Sequence, residues 1–78
     1  MVRIYDDPNH AFYGPVRRLH IMAMQLFPQT FAEVERRFEK QTEGIHWSQW
    51  MADRMKNYGY PEASAQRDML RWFLSIHT

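Results

Sequence analysis

The chain has 78 residues, ten basic and nine acidic, for a formal net charge of +1, with hydrophobic residues at 45% and aromatics at 15%. That apolar supply excludes a disordered chain, and the near-neutral balance lacks the basic excess with which nucleic-acid modules neutralise phosphate. Cysteine is absent, which rules out disulfides, thiolate nucleophiles and cysteine-based zinc sites; a reducing cytoplasmic setting is expected.

The length fits one small domain spanning 1–78, near the size at which a single core only just offsets the entropy of ordering the chain. Neither half is polycationic: residues 1–43 hold six basic and six acidic side chains, and residues 44–78 hold four and three. No apolar run approaches the roughly 18 residues needed to span a bilayer, and the opening MVRIYDDPNH lacks an apolar signal core. No membrane partner is expected.

In chain order, residues 1–13 read as an irregular, strand-like segment. Val2 and Ile4 alternate with Arg3 and Tyr5, and Asp7-Pro8-Asn9-His10 has the composition of a type I turn, so a short strand or hairpin is expected. Asp6, Asp7 and His10 also have the chemistry of a divalent-cation site. Adjacent strand side chains point to opposite faces, however, so a turn is the stronger reading.

Gly14-Pro15 opens a first helix, with Pro15 at its first position, where the missing N–H costs nothing. Val16, Leu19, Met22, Ala23, Leu26 and Phe27 recur at helical spacing as its core face, and Pro28 ends it. The second helix starts on Thr30-Phe31-Ala32-Glu33, a capping-box pattern, and presents a narrow stripe of Phe31, Val34 and Phe38. Glu33 and Arg37 sit at pairing distance one turn apart, and Gly44 is the expected stop.

The third helix is predicted from Ser48 as N-cap to a stop at Gly59, with Trp47, Trp50, Met51, Met55 and Tyr58 on its inner face. The fourth starts at Pro61, with Glu62 in the first turn, where the helix dipole favours an acid. Its apolar arc is unusually wide. Ala65, Met69, Trp72, Phe73 and Ile76 form one stripe, and Leu70, Leu74 and Ala63 form a second beside it. Such a helix is either central to the fold or half committed to a partner.

The expected architecture is therefore mainly α: a compact bundle of about four short helices, with the strand or hairpin as an optional N-terminal addition. The residues assemble no catalytic, cofactor or metal signature. His10, His20, His46 and His77 are scattered without the close pairing of zinc ligands, the three glycines cannot build a phosphate loop, and no serine has a nucleophile-elbow context. His20 reads as a core-edge imidazole and His46 as a cap for the third helix. The paired Arg17-Arg18 and Arg36-Arg37 read equally as the rim of a contact patch or as a solvated face.

A non-enzymatic protein-interaction module is the favoured function, acting as an adaptor or as an inhibitor of a larger complex, of the size carried by phages and mobile elements. Its partner is another protein or a second copy of the chain. The partner-binding residues would be Leu70 and Leu74 as apolar anchors, flanked by Arg67 and Arg71. The alternative is a helix-turn-helix-like DNA-binding regulator using residues 48–76, with RMKNYGYPEAS as its corner. In that reading Ser64, Gln66 and Arg67 face bases, while Arg54, Lys56 and Arg71 touch phosphate. Bulky Met55 before the turn, the acidic Glu62 and the neutral charge balance all weigh against it.

Overall fold

A computed structural model describes residues 3–77. Four helices follow a single short turn: α1 Tyr13–Leu26, α2 Phe31–Gln41, α3 Trp47–Asn57 and α4 Glu62–His77. No strand occurs among the described residues, and the mainly α, four-helix architecture is the one the apolar periodicity predicts. α3 and α4 each pack against all the other helices, while α1 also carries the N-terminal segment.

That segment departs from the expected hairpin. Ile4–Asp6 forms a 3-10 turn, with the Asp6 and Asp7 amides donating to the carbonyls of Arg3 and Ile4 at 2.9 and 3.1 Å. Val2, the other half of the predicted alternation, lies outside the described residues. The tight turn wins because it points Ile4 and Tyr5 together at the core, which a strand's alternation forbids. Arg17 fixes it from α1 by donating to the Tyr5 carbonyl at 3.1 Å.

Local signals set the helix ends, some one or two residues from their predicted places. α1 begins at Tyr13, so Pro15 is its third residue, still inside the first turn whose N–H groups have no helical partner. The Thr30 capping box does not form. Thr30 sits at φ −120°, ψ −1°, outside the extended conformation from which a hydroxyl reaches the following amides, and Glu33 turns instead to Arg36 and Arg37. The N-cap of α3 is His46, not Ser48. Its backbone is extended, and ring Nδ1 accepts the Ser48 amide at 3.1 Å.

Past α2, Glu43 takes a left-handed φ of 60° and the Gly44 amide donates to the Glu39 carbonyl at 2.7 Å. This is the wrap-around bond of a Schellman end, placed one residue before the predicted glycine stop. α3 stops at Gly59 as expected, where φ is +70° and the Tyr60 amide donates to Arg54 at 3.1 Å. α4 begins one residue after Pro61, whose carbonyl accepts the Ser64 and Ala65 amides.

The core follows the predicted stripes closely. Val16, Leu19 and Ala23 of α1, Phe31, Val34 and Phe38 of α2, Trp47 and Met51 of α3, and Ala65, Met69, Phe73 and Ile76 of α4 are all buried. Its centre is aromatic. Phe73 meets Phe31, Trp47 and Phe38 edge-on, with ring centroids 5.5, 5.6 and 6.3 Å apart, the geometry ring quadrupoles favour. Two residues assigned to inner faces lie outside: Leu26, 55% exposed at the end of α1, and Tyr58, 63% exposed at the cap of α3. Both fall in the last turn or cap of their helix, where no neighbouring element covers them.

Candidate functional site

The most buried polar cluster among the described residues centres on Glu35 of α2, which meets the buried His46 and Trp47. Its Oε2 accepts the Trp47 indole N–H at 2.6 Å and lies 3.1 Å from His46 Nε2. Because His46 Nδ1 accepts the Ser48 amide, the ring proton sits on Nε2 and is donated to Glu35. Ser48 Oγ, 2.6 Å from the same Nδ1, supplies its hydroxyl proton there. Burial pushes the Glu35 carboxyl up, but the hydrogen bonds from His46 and Trp47 outweigh it and hold the group below the usual carboxylate range.

Serine, histidine and glutamate thus stand in the order of a nucleophile, base and orienting acid. The arrangement is structural. Ser48 is 1% exposed and His46 3%, so no substrate carbonyl reaches the hydroxyl. Tyr5 closes the node from the N-terminal turn, stacked on His20 at 4.0 Å and near-parallel to Trp47 at 5.8 Å. Burial depresses the His20 imidazole, with Glu35 opposing that shift, and burial raises the Tyr5 hydroxyl. His20 is held by ring stacking on Tyr5.

Asp6, Asp7 and His10 do not converge. Asp7 Oδ1 accepts the Asn9 amide at 3.2 Å, His10 Nδ1 accepts the Phe12 amide at 3.0 Å, and Asp6 lies 3.7 Å from Arg17. These are turn and capping roles. Among the described residues, no group of three or more acids and histidines is placed to hold a metal ion.

The arginines separate into two classes. Arg3 pairs with Glu39, Arg17 with Asp6, Arg18 with Glu62, Arg36 and Arg37 with Glu33, and Arg54 with Asp53. The doublets Arg17-Arg18 and Arg36-Arg37 are therefore engaged within the chain and are not a free rim. Arg18 grips Glu62 with two bonds of 2.7 and 2.6 Å, which lowers that carboxyl and joins α1 to the start of α4. Of the eight arginines, Arg67 and Arg71 alone have neither an ion pair nor a hydrogen bond among the described residues.

Both lie on the outer face of α4. They line a shallow concavity with Tyr60, Ser64 and Asp68, which continues past Trp72 and Ser75. At about 100° per residue, Leu74 lies between Leu70 and Arg67 on the helix surface, with Arg71 a further step round. The four predicted contact residues thus form one strip. Leu74 is 56% exposed, whereas Leu70 is half-buried and packs against the core. Across the α1–α4 seam, Arg18 meets Glu62 and Met22 Sδ accepts from Gln66 Nε2 at 3.2 Å, both at a 44-residue offset.

The residues of the DNA reading are not gathered on one free face. The Arg54 guanidinium lies 4.2 Å over the Trp50 ring and 4.5 Å from that of Tyr58, besides its pair with Asp53, which explains a cation inside an apolar arc. Gln66 is turned to Met22, and Lys56 lines a different depression with Ile4, His10, Phe12 and Ala52. Only Ser64, Arg67 and Arg71 of that set share a surface.

What the sequence did not disclose was Glu35. It reads as one charge among many on the polar side of α2, and its signal is two-part: an acid between Val34 and Phe38 in register, with His46-Trp47 later supplying donors. No helix is long and apolar enough to cross a membrane among the described residues. Comparison with protein-family models, with curated proteins and with solved structures finds no match for this chain.

Proposed function

We propose that this chain is a non-enzymatic protein-binding module that docks through the outer face of α4, with Leu74 as apolar anchor, Leu70 as its buttress, and Arg67 and Arg71 as charged flank. An adaptor or an occluding inhibitor of a larger assembly, working in a reducing cytoplasm and of the scale found on phages and other mobile elements, is the role we favour. The observation that carries it is the pairing pattern: arginines elsewhere on the surface are paired within the chain, and the two with no partner among the described residues stand beside an exposed leucine. Arginine next to an apolar anchor is the composition of interface hot spots.

Leu74→Asp places a charge on an exposed position and keeps the fold, so loss of binding reads the surface alone. The experiment is affinity capture of partners from the native host with wild type, Leu74→Asp and a Lys40→Glu control on α2. The reading expects partners held by wild type and the control and lost by Leu74→Asp, with thermal melts superimposable. Capture that is indifferent to Leu74→Asp overturns it.

A further inference from the structure

We infer that the strip from Ser64 to Leu74 selects an acidic amphipathic helix, a partner segment with apolar residues on one stripe and carboxylates flanking it one turn apart. This rests on the docking reading above and names the chemistry of the partner. Two geometric facts carry it. Leu70 and Leu74 are four residues apart on α4, as are Arg67 and Arg71, so each pair advances about 6 Å along the axis. The two ladders run side by side, apolar toward the α1 seam and basic toward the Tyr60–Ser64 concavity. A helix laid along α4 meets both ladders at once only if its own apolar and charged stripes are offset in the same way.

Charge sets the sign. Glu62, the acid nearest the start of the strip, is neutralised by Arg18, which leaves Asp68 as the local negative charge against two guanidiniums. The excess is basic, and the Tyr60 and Ser64 hydroxyls add donors that a carboxylate accepts. Phosphate is the poorer fit. Leucines do nothing for a phosphate backbone, Asp68 repels it, and Arg54 and Gln66, which a DNA-reading α4 needs, are engaged elsewhere. A second copy of this chain fits less well too, since α4, about 24 Å long, offers one helix face rather than the roughly 800 Å² per partner of a stable dimer.

The probes are two synthetic amphipathic helices of α4's length, identical in their leucine stripe, one carrying glutamates on the flanks and the other lysines at the same places. Binding is followed by chemical-shift mapping on isotope-labelled protein. The glutamate peptide is expected to move the resonances of residues 64–74, to weaken as salt rises, and to lose about tenfold in affinity with Arg67→Ala plus Arg71→Ala. With Arg67→Glu plus Arg71→Glu, the preference should invert to the lysine peptide. Equal binding of both peptides on the strip overturns the acidic selection yet leaves the docking reading in place. Failure of the glutamate peptide to bind there, or tighter Arg67-dependent binding of duplex DNA, overturns the inference outright. The docking reading falls separately, on native capture indifferent to Leu74→Asp.

Discussion

The Glu35 node and the outer face of α4 treat polar side chains in opposite ways. Around Glu35, residues from the N-terminal turn and from α1, α2 and α3 meet, and the carboxylate, imidazole, hydroxyl and indole groups close on one another. Along α4, the Arg67 and Arg71 guanidiniums have no ion pair or hydrogen bond among the described residues. Both regions are rich in hydrogen-bonding groups, so polarity alone does not mark function. A polar group whose partners are internal belongs to the fold, and an exposed one without such partners is free to meet something else. The buried Trp50 indole N–H, unpartnered among the described residues, is free to meet nothing.

If that division is right, the largest effect belongs to the node. Glu35→Ala strands two buried donors, Trp47 Nε1–H and His46 Nε2–H, each costing about 1–3 kcal/mol when unmet. We expect a loss of about 3 kcal/mol by denaturant titration, with the melting temperature falling by more than about 10 °C at this chain length. Glu35→Gln retains one acceptor and is expected to lose less than half as much. A Glu35→Ala variant as stable as its parent would make the node ornamental.

The node also sets a pH dependence with a definite sign. His20 is depressed by burial, so its contribution is complete above the ordinary histidine value near 6.5 and is lost as pH falls through the folded value. Glu35 is depressed as well, and its contribution is complete above the ordinary glutamate value and drains away as acid titrates the folded group. Stability should therefore decline in two stages on acidification, the first setting in below the ordinary histidine value and the second below the ordinary glutamate value. His20→Phe, which keeps a ring against Tyr5, should flatten the first stage and leave the second. A single acid transition in wild type would separate His20 from the folding equilibrium.

Much of the fold was legible because burial imposes a period. Phe31, Val34 and Phe38, or Ala65, Met69, Phe73 and Ile76, recur at helical spacing and each stripe found the core. Cap chemistry was less legible. Thr30 and Glu33 fit the capping pattern, but Thr30 lacks the extended backbone the cap needs and Glu33 is taken by Arg36 and Arg37, neither of which the pattern itself encodes. His46 caps α3 as its place before Trp47 suggested, whereas Ser48 is not the N-cap, and the ring is also held by Glu35, a contact eleven residues away in sequence. Leu70 and Leu74 showed as a second stripe. Which of them is covered depends on α1, and one-helix periodicity holds no information about a neighbour. The same applies to the arginines: eight look alike in sequence, and only pairing in space sets two apart.

A gradient along α4 sharpens the boundary between the two regions. Phe73 is fully buried, Leu70 packs on the edge of the core and Leu74 is mostly exposed. Truncation to alanine should cost about 3–5 kcal/mol at Phe73, about 1–2 at Leu70 and under about 0.5 at Leu74, measured by chemical denaturation. A costly Leu74→Ala would move that residue into the core and remove the anchor from the proposed surface.

The smallest expected effect is the most telling. Arg67→Ala with Arg71→Ala breaks no ion pair among the described residues and truncates exposed side chains, so stability should stay within about 0.5 kcal/mol of the parent. Arg18→Ala is the comparison, another exposed arginine, on α1, that gives up a two-point grip on Glu62 and the seam it holds. It should melt measurably below the double variant, despite removing one guanidinium instead of two. Equality between them would mean that pairing seen in the fold carries no weight at this surface, and the contrast between satisfied and unsatisfied arginines would lose its meaning. An ordering with Arg18→Ala lowest would leave Arg67 and Arg71 as side chains that the fold does not use, beside a leucine it does not cover.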